Sequence, residues 1–189
     1  MSIATGKKTD LDCINNVVAA AVMSWPMPER IKRLSVPVLS YDSEDFKHYR
    51  FVVYRQGGEI KGGEVKGGEV KGGEVKGGEV KGGEVKGGEV KGGEVKGVAA
   101  WNPEAPLVTE LGTGRLLHGL YISPDCQGRG YGRDLMAAVL SEAMTLGAEG
   151  LVIKAERPSI GFFEHCGLQP LSATGATDYP YQFWYQARA

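Results

Sequence analysis

Apolar and polar positions along the chain fall into two regimes: ordinary helix and strand periods at both ends, and a separate five-residue period between them. In LDCINNVVAAAVM, the apolar residues Leu11, Ile14, Val18, Ala21 and Val22 recur at helical spacing behind a Thr9-Asp10 cap, which predicts an amphipathic helix. Pro28 suits a first helical turn and opens a second, shorter helix through Glu29 to Leu34, with Arg30, Lys32 and Arg33 on a solvated face. The runs HYRFVVYR (48–55) and GVAAW (97–101) are rich in aromatic and β-branched or small apolar residues and read as strands, the second ending at Asn102-Pro103. A glycine-rich turn, LGTGR, then leads into a buried strand, Leu116 to Ile122, stopped by Pro124. Leu135, Met136, Val139, Leu140 and Ala143 form the apolar stripe of a helix that Gly147 closes. LVIKA is a strand, SIGFFEHCG a short helix ending at Gly167, and YPYQFWYQ a last aromatic strand. This order predicts a single α/β domain over 1–189, with a mixed sheet flanked by helices.

The interruption is Gly57 to Lys96, eight copies of Gly-Gly-Glu-Val-Lys with Ile60 replacing the first Val. Its ends abut two predicted strands, and removing it would rejoin them through a glycine hairpin, so it reads as a tandem repeat inserted at a β-hairpin tip. Gly-Gly fits a type I′ turn, and a meander of such turns sets Lys61 opposite Glu64, Ile60 opposite Val65 and Glu59 opposite Lys66. Every Val then lies on one face, which a second copy of the chain would cover, making a homodimer. A stacked coil is the rival ordered form, but it sets Glu over Glu and Lys over Lys. Loose structure weighs more than either, because sixteen of the forty residues are glycines that are costly to order.

Charge and cysteines narrow the class. The repeat cancels its own charge, so the net −1 belongs to the flanks and argues against nucleic acid or an anionic membrane as a partner. Cys13, Cys126 and Cys166 are an odd number without a C-x-x-C pair, which fits neither a disulfide framework nor a zinc site, and no metal is expected. MSIATGKKTDLD lacks an apolar signal core, and Val17 to Met23 is too short to span a bilayer, so the expectation is a soluble cytoplasmic protein.

The stretch with chemical content is QGRGYG, Gln127 to Gly132. Alternating glycines between a strand and a helix let the backbone approach a ligand, and the start of the helix presents N–H groups to an anion such as a pyrophosphate. The nucleotide-binding G-K-[ST] is missing, so no Lys serves a γ-phosphate and no hydroxyl a magnesium ion. Alone, such a turn is equally an ordinary tight connection. In context, LYISPDCQGRGYGRDLM followed by a helix and LVIKAERPSIGFFEHCGL resembles the GCN5-related N-acetyltransferase (GNAT) superfamily. That family's pyrophosphate loop reads Q/R-x-x-G-x-G/A and its later helix A-x-x-F-Y-E-x-x-G-F; the likeness spans the chain outside the repeat and is strongest from Leu116 to Leu168. The resemblance implies a GNAT-like sheet, with acetyl-CoA as co-substrate and the primary amine of a small molecule as acceptor. It further implies that the backbone of Gln127, Gly128, Arg129, Gly130, Tyr131 and Gly132 binds the diphosphate, with Arg129 and Arg133 adding charge. Leu120, Tyr121 and Ile122 would pair with the pantetheine arm, and the Ile122 N–H would face the thioester oxygen.

Acetyl transfer needs a base for the ammonium, a donor for the developing oxyanion and, optionally, an acid for the thiolate. His118 is the candidate base: strand alternation sets it on a face with Leu120 and Ile122, and an unperturbed imidazole titrates near neutrality. A histidine satisfied within the sheet is the plain alternative, and Glu110 and Glu156 are weaker candidates. The acid departs from the family, because its usual Tyr is here Phe163, leaving water, Tyr121 or Tyr181. Acceptor identity should lie in Trp25 to Tyr49 and Tyr179 to Tyr185, with Trp25, Trp101, Phe183 and Trp184 as walls or as plain core. The competing reading is a non-catalytic acyl-CoA-binding or self-assembling scaffold.

Overall fold

The computed structural model describes residues 2–57, 93–172 and 181–186. In chain order these form β1 (Ser2–Thr5), α1 (Leu11–Met23), α2 (Glu29–Leu39), α3 (Asp45–His48), β2 (Arg50–Gln56), β3 (Glu94–Thr109) and β4 (Gly112–Ile122). Then follow α4 (Tyr131–Met144), β5 (Gly150–Lys154), α5 (Ile160–His165), β6 (Gln169–Pro170) and β7 (Gln182–Tyr185). Among the described residues the strands make one seven-stranded sheet in the order β1-β2-β3-β4-β5-β7-β6. Only the β4–β5 pairing is parallel, so the sheet is mixed as expected.

Each face of the sheet carries its own core. On one side α1 buries Ile14, Val17, Val18, Ala21 and Val22 against Phe51, Val53, Val98 and Ala100, with α2 and α3 packed at the margin. On the other, α4 presents Leu135, Met136, Val139, Leu140 and Ala143 to Val52, Ala99, Leu117, Leu151 and Ile153, and α5 adds Phe163. Each of the Val, Leu, Ile, Met and Phe side chains contributes about 1.5–3 kcal/mol on burial, so the two helical stripes seen in the sequence fix which faces meet. The carbonyl end of α4 is met by Arg115 of β4, whose guanidinium donates to Leu146 O at 3.1 Å.

Two boundaries differ from the sequence reading. The second helix runs on to Leu39, through Pro37, and ends two residues later. Asn102-Pro103 does not end its strand: β3 continues to Thr109 and pairs with β4 from Gly112. The register shifts between Trp101 and Pro106, where Asn102 Oδ1 accepts the N–H groups of Glu104 (2.8 Å) and Ala105 (3.1 Å). A proline that cannot donate to the ladder is thus carried in a bulge instead of terminating the strand.

The strands flanking the repeat pair antiparallel, with Gln56 opposite Glu94. Glu94, Val95 and Lys96, the end of the last copy, begin β3, and Val95 is buried in the core on the α1 side. A register shift between Tyr54 and Arg55 leaves Lys96 as an extra residue in β3, and its ammonium meets Glu94 (2.9 Å) and Asp125 (3.0 Å). The remaining expectations for the repeat, whether meander, coil or loose chain, and the dimer built on it, concern 58–92, which lie outside the described residues.

Candidate active site

The site begins with a mismatch between strands. β3 and β4 pair Ala100 with Gly119 but Trp101 with Leu117, so His118 is an unpaired extra residue, a β-bulge in β4. On the other edge of β4, pairing with β5 stops at Leu117–Ile153. Beyond that point the two strands diverge, and a cleft of about 960 Å³ opens between them. It is bordered by β4 from Leu116 to Ile122, by Lys154 and Glu156 after β5, and by the start of α4.

The ladder fixes where backbone groups point. Ser123 N–H donates to Lys96 O at 2.8 Å, one residue outside the Gly97–Ile122 pair, which makes that pair non-hydrogen-bonded. The N–H and C=O of Ile122, and by alternation those of Leu120, are therefore turned from β3 toward the cleft. Gln127 Nε2 donates to Ile122 O at 3.1 Å, tying the next loop to the strand end.

That loop is anchored on its outer side. Ser123 Oγ donates to Asp125 Oδ1 at 2.6 Å, and Lys96 reaches the other oxygen. These two donors, Ser123 first, hold the Asp125 carboxyl down to about 2. Cys126 Sγ contacts Gln56 Oε1 at 3.6 Å, and burial pushes its thiol pKa up. Gly128 and Gly130 then adopt φ of 73° and 87°, with open space where a Cβ would sit. Gly130 caps α4 without any side-chain bond, and the amides of Gly128, Arg129, Gly130 and Gly132 find no acceptor among the described residues. Gly132 is close to Phe162: a Cβ there would lie 2.9 Å from the phenyl tip. The result is an open turn of amides at a helix start, directly beside the cleft, with Arg133 on its border.

His118 is open to the cleft, and the bulge turns its ring away from the side where Leu120 and Ile122 pack. Leu120 and Ile122 rest on the α4 core, whereas the imidazole lies 4.4 Å from the Tyr49 ring and 6.0 Å from that of Tyr41, centroid to centroid. Tyr41 belongs to the opposite core, and Tyr121 does too. Simple alternation therefore misplaces His118 by one step, although all three residues border the cleft. Desolvation by the surrounding side chains moves the His118 pKa below its ordinary value; Asp45 opposes that shift and Lys154 adds to it.

The other candidates sort by position. Phe163 is buried in the α4 core, 5.6 Å from Phe183. Tyr181 borders a separate small hollow beside α5, not the cleft, whereas Tyr121 borders the cleft. Glu110 accepts the Ser172 N–H at 2.8 Å, outside the cleft, and Glu156 borders it. Of the four proposed aromatic walls only Trp25 faces the cleft; Trp101 and Trp184 are wholly buried core and Phe183 lines the smaller hollow. The residues that do wall it, Tyr41, Asp45 and Tyr49, fall in the segment flagged for acceptor identity but carry no local pattern that singles them out. Among the described residues no group of three or more His, Cys, Asp or Glu is arranged to hold a metal ion, and no helix is long and apolar enough to cross a membrane.

Comparison with known proteins places this geometry. Residues 88–168 match the family model described as the acetyltransferase (GNAT) family. No curated protein matches the chain. Among solved structures, the chain is similar to a GCN5-related N-acetyltransferase from Rhodopseudomonas palustris (12% identity, 98% of this chain and 95% of that one, TM-score 0.61). It is also similar to Tetrahymena GCN5 (13% identity, 98% and 96% covered, TM-score 0.56) and to AtaTR bound with acetyl-CoA (15% identity, 98% and 92% covered, TM-score 0.53). The chain thus has the fold of the GNAT acetyltransferases, and residues 88–168 carry that family's sequence pattern.

Proposed function

We propose that this protein transfers the acetyl group of acetyl-CoA to the primary amine of a small molecule. The observation that carries the reading is the pairing of an open amide turn at 127–132 with the divergence of β4 from β5 beside it. A solved relative of the same fold is bound with acetyl-CoA. The residues present fit that molecule: the amides of Gly128, Arg129, Gly130 and Gly132 suit a diphosphate, and the cleft-facing backbone of Leu120 and Ile122 suits an extended amide-bearing arm. Arg133 adds charge at the phosphate end, with Arg129 exposed beside it.

His118 accepts the proton of the incoming ammonium, directly or through a water, because its lowered pKa keeps the imidazole neutral and basic at physiological pH. The amine nitrogen bonds to the thioester carbon, the Ile122 N–H steadies the developing oxyanion, and the C–S bond breaks to release a thiolate while the nitrogen gives up its second proton to water. Phe163 has no proton to give, so water protonates the thiolate; of Tyr121 and Tyr181, the two phenols named as alternatives, Tyr121 borders the cleft. Calorimetry with acetyl-CoA and thiol release across a panel of amines test the reading. Heat on acetyl-CoA addition with amine-dependent thiol release is expected; binding without release on any amine would leave a non-catalytic acyl-CoA carrier.

A further inference from the structure

The acceptor end of the cleft has a chemistry of its own. Tyr41, Tyr49 and His118 form a contiguous aromatic group, and Asp45 stands close enough to act electrostatically on all three. One Asp45 oxygen accepts the Asp42 N–H at 2.7 Å, and the other takes no hydrogen bond from the described residues. Trp25, Pro26, Val38 and Leu39 continue the wall with apolar surface. From Val38, 80% exposed, the stripe runs along α2 through Leu34 (60%) to Ile31 (42%) at helical spacing, so an apolar rail leaves the cleft mouth. Lys154 and Glu156 sit on the opposite border, after β5.

We infer that the acceptor carries a single positive charge on an apolar or aromatic body, its ammonium held by the Asp45 carboxylate and the rings of Tyr41 and Tyr49. This rests on the acetyl-transfer reading above. A cation against tyrosine faces and one carboxylate is well served. A polyamine or an aminoglycoside is served less well, because beside Asp45 a further ammonium meets the apolar surface of Trp25, Pro26, Val38 and Leu39, and the other bordering carboxylate, Glu156, stands after β5 next to Lys154.

The test measures thiol release from acetyl-CoA with 2-phenylethylamine and with spermidine, alongside acetyl-CoA calorimetry, on the full chain and on Asp45→Asn and Tyr49→Leu. The expected result is kcat/KM at least about tenfold higher for 2-phenylethylamine, and a rise of about tenfold in its KM in Asp45→Asn, with acetyl-CoA heat unchanged. The carboxamide introduced by Asp45→Asn keeps an oxygen for the Asp42 amide, so loss of fold is not the expected outcome of that change. Normal acetyl-CoA heat with equal or better use of spermidine, with no turnover of 2-phenylethylamine, or with an unmoved KM in both variants overturns the inference alone. Absence of acetyl-CoA heat overturns the acetyl-transfer reading and the inference with it.

Discussion

At Gly128 and Gly130 the backbone takes positive φ while the space outward is empty, so a methyl group there would meet no neighbour and yet strain the chain. Gly130→Ala should therefore cost about 1–2 kcal/mol in urea unfolding, and weaken acetyl-CoA binding in calorimetry by re-aiming the amides. His118 makes the second residue-scale prediction. Because its pKa lies below the ordinary 6.5, its basic form persists into mildly acidic solution, and kcat/KM should fall with acid only as pH drops through that lower value. His118→Ala should lower kcat by about 10²–10⁴-fold and remove that acid limb, leaving acetyl-CoA affinity in place. The glycines were legible in the sequence because alternation at a strand-to-helix turn has few other uses. The direction of His118 was not, since a bulge arises from a mismatch with β3 that the β4 sequence alone does not display.

Among the elements, the sheet's helical layers were legible from two apolar stripes, and the long β3–β4 ribbon was not, because Asn102-Pro103 looks locally like a stop. The β5 edge is similarly decided by tertiary contact. Gly150 lies under the Trp184 indole, where a Cβ would sit 2.4 Å from the ring, and Gly114 of β4 faces the same ring at 2.7 Å. Gly150→Ala should thus destabilise by about 1–3 kcal/mol, read as a lower urea midpoint with an unchanged slope. Such overpacking would press on the strand whose departure from β4 opens the cleft, so acetyl-CoA affinity is a useful second readout of how rigidly that divergence is held.

For the molecule as a whole, the question is what the array between β2 and β3 contributes. Gly57 has φ of 69°, and its carbonyl oxygen would lie only 1.6 Å from a Cβ placed on Gly93, so the two glycines meet across the hairpin next to the Gln56–Glu94 pair. Excising 58–92 would join them as a two-residue Gly-Gly loop, the shortest hairpin connection, with positive φ already in place at the first position. The shortened chain should bind acetyl-CoA as the full chain does and keep its midpoint of thermal unfolding within a few degrees. Should the array pack as a valine-faced meander against a second copy, sedimentation velocity would show the full chain heavier than the shortened one. Equal monomers would remove that role.

One retained unit is enough to build the start of β3, because Val95 and Lys96 come from the last copy. Replication slippage that gains or loses whole units would therefore hand the sheet the same residues every time, whereas an insertion of one residue between Val95 and Gly97 would swing Val95 out to water. Length variation in steps of five is, on this fold, invisible to the half of the molecule that holds the cleft.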